Sequence, residues 1–364
     1  MEKKAVKKIV IISALAVAVL CLTFVALIGC DFLGIGIGKG KNIELDVEKG
    51  SSTTAIANEL KESGAINYPL AFRVYSRLKG YDGMYKYGYY EFKNDVGYSA
   101  IADKLMYEGA KAKTVTVTIP EGTGINDYTK NVNGEDVVVP GIATLLEKKG
   151  VCEKADFFEA LKNANLDYKI LENCNSKDTY YSLEGYLFPD TYNFYAYDSK
   201  ECAALAVEKM VAQSQSKISD DMYKKAEDLG YSMNEILTMA SIIQMEAGNN
   251  TSEMKDVAAV FYNRLNSQSF TTLGSSPTCY YGESFAEDDG RYNTYNVIGL
   301  PPGPLCSPGI DAIKAALDPT ENSPYYYFVT DSKGNFYFHK TIGEQNATIN
   351  KLKQGNNWIY EYFD

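Results

Sequence analysis

Histidine is almost missing from this 364-residue chain, which contains only His339. Zinc hydrolases normally need two or three histidine ligands, and Ser-His-Asp enzymes need a placed imidazole base. Both classes lose ground, while a carboxylate-based enzyme or a binding protein survives. No C-x-x-C pair occurs among Cys21, Cys30, Cys152, Cys174, Cys202, Cys279 and Cys306, which removes zinc ribbons and thioredoxin-like motifs. The five cysteines past residue 31 are widely spaced, and their odd number leaves a thiol over in any disulfide scheme. Free buried cysteine is the simpler reading. Positive charge is also scarce: 36 Lys and Arg face 47 Asp and Glu, a net −11. Residues 1–30 carry +3 of this, leaving −14 on the remainder. A surface that acidic repels phosphate backbones, so nucleic acid is not an expected partner. Long low-complexity tracts are absent, and 45% hydrophobic with 23% charged residues fits a globular chain. Its length fits two or three units.

What is present begins at the N-terminus. Ile9–Ile28 is an uncharged stretch of twenty residues, preceded by Lys3, Lys4, Lys7 and Lys8. At about 1.5 Å per residue it spans a hydrocarbon core of about 30 Å. The flanking lysines put the N-terminus in the cytoplasm and everything past residue 31 outside. A cleaved signal peptide competes, although its apolar region is usually about 7–15 residues. Leu27-Ile28-Gly29-Cys30 also resembles a lipobox, and cleavage before Cys30 would leave a lipid anchor. Each reading puts the rest on the outer face of a membrane. Gly34–Lys41, GIGIGKGK, lacks phosphate-loop spacing and reads as a flexible linker.

Ile43, Leu45 and Val47 alternate as a strand, and Ile56 to Leu60 follows as a helix with Ser or Thr near its N-cap. The I-A-x-x-L core of that helix returns at Ile101 to Leu105, a weak internal repeat. Thr114–Ile119 alternates again and ends at Pro120-Glu121-Gly122. Past residue 150 the chain is helical and rich in tyrosine, with helical spacing over 157–161 and 203–213. Met233–Ala247 is the strongest helix, opened by a Ser232/Glu235 capping box and apolar on most sides, hence buried. Another helix is expected from about Glu253 to Leu265, and a hairpin over Tyr325–Thr330 and Asn335–His339.

Glu246 closes the apolar helix, just before Gly248 and Asn249 end it. Burial and the negative end of the helix dipole both disfavour its charged form. A carboxyl kept protonated near neutral pH is what a glycosidic general acid needs. An ordinary solvent-exposed Glu at a helix end is the bland alternative.

The neighbouring motifs change the balance. Leu183-Glu184-Gly185-Tyr186-Leu187-Phe188-Pro189-Asp190-Thr191-Tyr192 resembles the signature of MltG-type (YceG-like) endolytic murein transglycosylases. Further matches follow in order: Ala240 to Ile243 leading to Glu246, Glu253, Val257 to Phe261, and Asn263-Arg264-Leu265. Tyr292 to Tyr295, Gly299 to Pro304, Ser307 to Gly309, Ala312 to Ala316 and Tyr326 to Val329 complete the set. The resemblance covers residues 42–350 and implies an α+β fold. Its parts would be an N-terminal single transmembrane helix with linker (1–41), a small LysM-like α/β region (42–165) and a mixed α+β catalytic domain (166–364). It implies a lytic transglycosylase with Glu246 as the catalytic residue. Three departures stand out: Gln244 replaces an earlier Glu, Gly274 to Thr278 replaces Q-S-D-P-T, and Gln345 replaces a His. The segment Gly124–Pro140 is also longer than the family's corresponding stretch.

Other residues carry paired readings. Glu253 would orient the site, or simply stabilise a helix N-terminus. Arg264 would anchor a carboxylate, or form a structural salt bridge. Tyr292, Asn293 and Tyr295 would line a sugar cleft, although among thirty tyrosines packing is the commoner role. Glu184 and Asp190 lie in the signature as site residues or as turn formers.

The reaction implied is cleavage between N-acetylmuramic acid and N-acetylglucosamine, leaving 1,6-anhydro ends, without metal or cofactor. The resemblance also implies a role in terminating nascent strands, beside peptidoglycan synthases (penicillin-binding proteins). A hydrolytic muramidase with a second carboxylate is one rival. A membrane-anchored glycan-binding scaffold without catalysis is the other.

Overall fold

The computed structural model describes residues 2–36, 40–48, 50–108, 114–132, 135–175, 177–196, 199–285 and 288–358. It is a mixed α+β chain in two compact units, Met1–Thr114 with Tyr195–Asp198, and Val115–Phe194 with Ser199–Asp364.

The first unit contains α1 (Glu2–Phe32), β1 (Asn42–Val47), α2 (Thr53–Glu62), α3 (Pro69–Lys79), β2 (Gly88–Lys93) and α4 (Tyr98–Asp103). A π-turn over Lys104–Glu108 extends α4. Strands β1 and β2 pair antiparallel, with Leu45 opposite Tyr90. The alternation read in β1 holds, since Ile43, Leu45 and Val47 are buried. Ser52 caps α2 by accepting from the Ala55 N–H at 3.2 Å. The repeated I-A-x-x-L phrase has a common purpose: Ile56, Ala57, Leu60, Ile101, Ala102 and Leu105 all enter one core.

In α1, Leu15–Phe32 is long and apolar enough to cross a membrane, with mean hydropathy 2.4. The helix continues through Cys30 and ends in a polar clamp. The buried Asp31 carboxylate accepts from the Asn67 N–H (2.9 Å), the Asn67 amide (2.7 Å), the Tyr68 N–H (3.1 Å) and the Tyr98 hydroxyl (2.6 Å). Burial, then the Asp31 charge, pushes the Tyr98 phenol well above its ordinary pKa. The flexible linker expected from Gly34 therefore starts later. Ile35 N–H still bonds Cys30 O at 2.8 Å, and Gly34, at φ +72°, lies so close to Val96 that a Cβ would sit 2.5 Å from its carbonyl carbon. Ile37, Gly38 and Lys39 of that linker lie outside the described residues.

The second unit begins within β3 (Thr114–Thr118) and continues with β4 (Tyr128–Val132), β5 (Glu135–Val139), α5 (Ile142–Lys148), α6 (Lys154–Asn163), β6 (Thr191–Tyr195), α7 (Ser199–Lys217), α8 (Asp220–Leu229), α9 (Met233–Ala247), α10 (Met254–Leu265), α11 (Ser276–Glu283), α12 (Ile310–Leu317), β7 (Tyr327–Thr330), β8 (Phe336–His339) and α13 (Ile342–Gln354). Strand β3 pairs with β6, and β4 with β5, in the stretch noted as long between Gly124 and Pro140. Strands β7 and β8 form the expected hairpin.

The expected division at residue 165 does not match these compact units. Segment 115–165 packs with the C-terminal part because its polar backbone is satisfied there. Ile125 N–H bonds the Glu184 carboxylate at 3.2 Å, Gly122 N–H bonds Ser307 O at 2.8 Å, and Ile119 N–H bonds Asp190 O at 2.9 Å.

Helix α9 is the centre of the unit. Its Ser232/Glu235 capping box forms, and Ile236, Leu237, Met239, Ala240, Ile242 and Ile243 are buried, packed by α10 and α12. Buried Ser241 ties it to the loop before α12 by accepting the Leu305 N–H at 3.0 Å. Among the described residues the seven cysteines are thiols and not disulfides, and Cys152, Cys202 and Cys306 are buried.

Candidate active site

Glu246 occupies the last turn of α9 and is half-buried. Its Oε1 accepts a 2.6 Å hydrogen bond from the Ser275 hydroxyl. Among the described residues, no hydrogen bond reaches its Oε2. Burial lifts the carboxyl above the usual range, while the Ser275 hydroxyl and the Arg264 charge pull it back. Solvent loss is the larger effect, so the site favours a proton on Glu246.

Ser275 is held as firmly as the carboxylate it serves. It is the residue before α11, with its N–H donating to Thr294 Oγ1 at 3.0 Å and its carbonyl accepting from Thr278 Oγ1 at 2.6 Å. Both threonines are buried. Ser275 did not stand out in the sequence, although it sits in the Gly274 to Thr278 motif. Its neighbour Ser276 bonds the Tyr295 hydroxyl at 3.0 Å, so the replaced acid of that motif is a hydroxyl contact here.

Arg264 projects from the last turn of α10. Its Nε donates to Tyr326 O at 2.7 Å and Nη1 to the carbonyls of Leu273 and Gly274. The rings of Phe261, Phe270 and Tyr327 surround it at 5.6–5.8 Å. These carbonyl bonds stand where a structural salt bridge was expected. The guanidinium braces the loop that carries Ser275 and lends its charge to Glu246.

Gln244 links two helix ends. Its Nε2 donates to Gly248 O at 2.8 Å and its Oε1 accepts Gly309 N–H at 3.0 Å, just before α12. The amide, rather than a carboxylate, is needed for both bonds. Gln345 lies in α13 with Oε1 buried and unpartnered among the described residues.

Glu184 forms a second centre. It is 2% exposed and accepts from Ile125 N–H and from the Tyr281 hydroxyl, each at 3.2 Å. Burial raises its pKa to about 8, against the pull of those donors. Gly185 beside it adopts φ +82°, and a Cβ there would lie 2.3 Å from Pro304, so the signature's glycine is a packing requirement. Tyr292 belongs to this cluster. It is fully buried, with Tyr180 stacked at 5.4 Å and Tyr281 at 4.7 Å, the packing role that was the commoner of its two readings. A cavity of about 510 Å³ is lined by Gly122, Tyr128, Glu184, Met245, Tyr280 and Tyr281. Glu246 is the next residue after Met245 and does not itself line it. Another cavity, about 520 Å³, opens near Ser232 at the far end of α9.

The remaining residues are dispersed. Asn293 accepts the Tyr295 N–H at 3.0 Å and shapes that turn. Tyr295 is 46% exposed, with its ring beside Gly274. Glu253 takes the Ser252 hydroxyl at 3.2 Å and, among the described residues, has no hydrogen bond to Glu246. Asp190 accepts from Thr191 N–H and Gln213 Nε2, each at 2.7 Å, as a turn former.

The class is that of a murein-cutting enzyme, as the relatives show. The profile of the YceG-like family matches residues 45–351. The chain belongs to that family. It is 31% identical to an endolytic murein transglycosylase of Bacillus subtilis (strain 168), over 86% of each chain. An endolytic murein transglycosylase of Streptococcus pneumoniae serotype 2 is 28% identical, with 85% of this chain matching 58% of that protein. The crystal structure of a YceG-like protein from Listeria monocytogenes superposes with a TM-score of 0.52 at 28% identity, over 85% of this chain and 99% of that one.

Proposed function

We propose that this protein is an endolytic peptidoglycan lytic transglycosylase, with Glu246 as acid and then base. The observation that carries the reading is the carboxyl itself: half-buried, biased toward its protonated form, and held at one oxygen by Ser275. The proton on Oε2 passes to the glycosidic oxygen as the bond to the muramoyl anomeric carbon breaks. The carboxylate then accepts the proton of the muramoyl 6-hydroxyl as that oxygen bonds the same carbon. Atoms balance without water, because the nucleophile is already tethered to the substrate. Ser275 steadies the carboxylate while it is charged, and Arg264 lends a positive field. Exposed Tyr295 and half-buried Ser276, hydrogen-bonded to each other, would meet sugar hydroxyls.

The same reading takes α1 as a single-pass anchor with the remainder outside the cytoplasm, residues 42–165 as the LysM-like region, and peptidoglycan synthases as neighbours. The apolar length of α1 and the lysines before it support the first of these.

Digestion of uncrosslinked glycan strands in heavy-oxygen water tests the reaction. New ends should be 1,6-anhydro-N-acetylmuramic acid carrying no solvent oxygen, on fragments of mixed length. Glu246→Gln should lower the rate by about 10²–10⁴. Solvent-labelled reducing ends would mean hydrolysis instead, and near wild-type cutting by Glu246→Gln would remove Glu246 from the mechanism.

A further inference from the structure

The outward face of α3 reads Leu70, Arg73, Val74, Arg77 and Leu78, spaced i, i+3, i+4, i+7 and i+8. All five are exposed, with Leu70, Val74 and Leu78 at 69%, 52% and 81%. The opposite face sends Phe72 and Ser76 into the core of the first unit. Three large aliphatic side chains in one stripe thus serve no packing inside that unit. The charges beside them are of one sign: Arg73, Arg77 and Lys79, with no acid anywhere on the helix. Arg77 has an exposed partner, Asp82, at 3.6 Å, and Lys79 lies 6.0 Å over the Tyr75 ring.

The position of α3 gives the stripe its meaning. Asp31 holds the backbone at Asn67 and Tyr68, where α3 begins, and Phe32 meets the Tyr75 ring at 5.5 Å. Tyr68 and Tyr75 are about 10 Å apart along a helix, yet neighbouring residues of α1 hold both. Helix α3 therefore packs against the last turns of α1, where the apolar segment ends. The Tyr68 ring reaches back along α1 to Phe24, edge-on at 5.8 Å, as interfacial tyrosines do.

We infer that α3 lies in the interface of the membrane that α1 enters. Leu70, Val74 and Leu78 sit in the acyl boundary, and Arg73 and Arg77 meet the phosphates of anionic lipids. The inference rests on the anchor reading. Lipid is the occupant because α3 packs on the end of the apolar helix through Tyr68 and Tyr75 and its exposed stripe carries the charge that complements an anionic surface.

The test uses the full chain in vesicles of phosphatidylcholine and phosphatidylglycerol brominated on the upper acyl carbons. Trp358 is the only tryptophan, so reporters are placed in a Trp358→Phe background. Leu20→Trp reports on α1, Leu78→Trp on α3, and Leu229→Trp on α8 as an exposed control. The Leu78→Trp emission should be quenched to within about two-fold of the Leu20→Trp emission, with Leu229→Trp unaffected. Adding Arg73→Glu and Arg77→Glu should reduce the Leu78→Trp quenching by about two-fold or more. Quenching at Leu20→Trp but not at Leu78→Trp overturns the interfacial helix. In that case, shielding of Leu78→Trp from aqueous acrylamide identifies a second protein copy as the occupant, and exposure to acrylamide leaves the face in water. Absence of quenching at Leu20→Trp overturns the anchor reading and this inference with it.

Discussion

Burial raises two carboxyls of the second unit, half-buried Glu246 and buried Glu184, in different surroundings. Glu246 keeps one hydroxyl donor and a cation nearby, while Glu184 is enclosed with a backbone N–H and a phenol. Glu184 makes the clearer stability prediction. Its folded pKa, about 8, lies above the unfolded value near 4.5. Its contribution is therefore complete below about pH 4.5, and is lost as pH rises toward 8. Across that window this group alone removes up to about 1.4 kcal/mol per pH unit. Glu184→Gln should abolish that part of the slope, read as unfolding midpoints in urea at pH 5, 6, 7 and 8. An unchanged slope would show that Glu184 titrates normally. Residue identity alone did not distinguish these environments. Glu246 was legible because its helix was, whereas Ser275 was not, because its hydroxyl reaches Glu246 across 29 positions of sequence. Tyr292 carried two readings for the opposite reason: a tyrosine reads alike whether it faces sugar or, as here, other rings.

Among the elements, α9 was legible almost to the residue. Its capping box, unbroken apolar body and terminal glycine each act locally, so sequence neighbours suffice to define it. Pairing between β3 and β6 could not be read in that way, since the partners are separated by most of the signature region. That pairing, with Ile125 on Glu184, is why residues 115–165 pack with the second unit. The junction of α9 and α12 carries a test. In Gln244→Glu, an oxygen would replace the amide that donates to Gly248 O. Above the pKa of the new carboxyl, two oxygens oppose each other, and the loss should be about 1–3 kcal/mol. The burial raises that pKa, so the penalty is present at high pH and relieved as pH falls. Thermal unfolding at pH 5 and pH 8 should show the variant near wild type at the first and weaker at the second. Equal stability at both would mean that the loop turns to relieve the contact.

For the whole molecule, charge and anchorage belong together. With α1 as the proposed anchor, an anionic bilayer repels residues 31–364 as a whole, which carry −14, whereas the face of α3 inferred to meet lipid carries positive charge alone. Because α1 is one helix through Cys30 to Phe32, the membrane form is predicted to retain residues 1–29. Mass spectrometry of protein extracted from membranes checks this, and a diacylated N-terminal Cys30 would replace the spanning helix with a lipid anchor.

The clamp at Asp31 has a mechanical consequence. A protein hung from a disordered tether swivels freely, whatever its tether does. Here four donors grip the carboxylate one residue from the end of α1, leaving no slack between that helix and the rest of the first unit. That unit is keyed to its helix as a wheel is to an axle. With α1 as the anchor proposed above, it turns about the membrane normal only as fast as the helix rotates in lipid, and any torque applied to it is delivered into the bilayer.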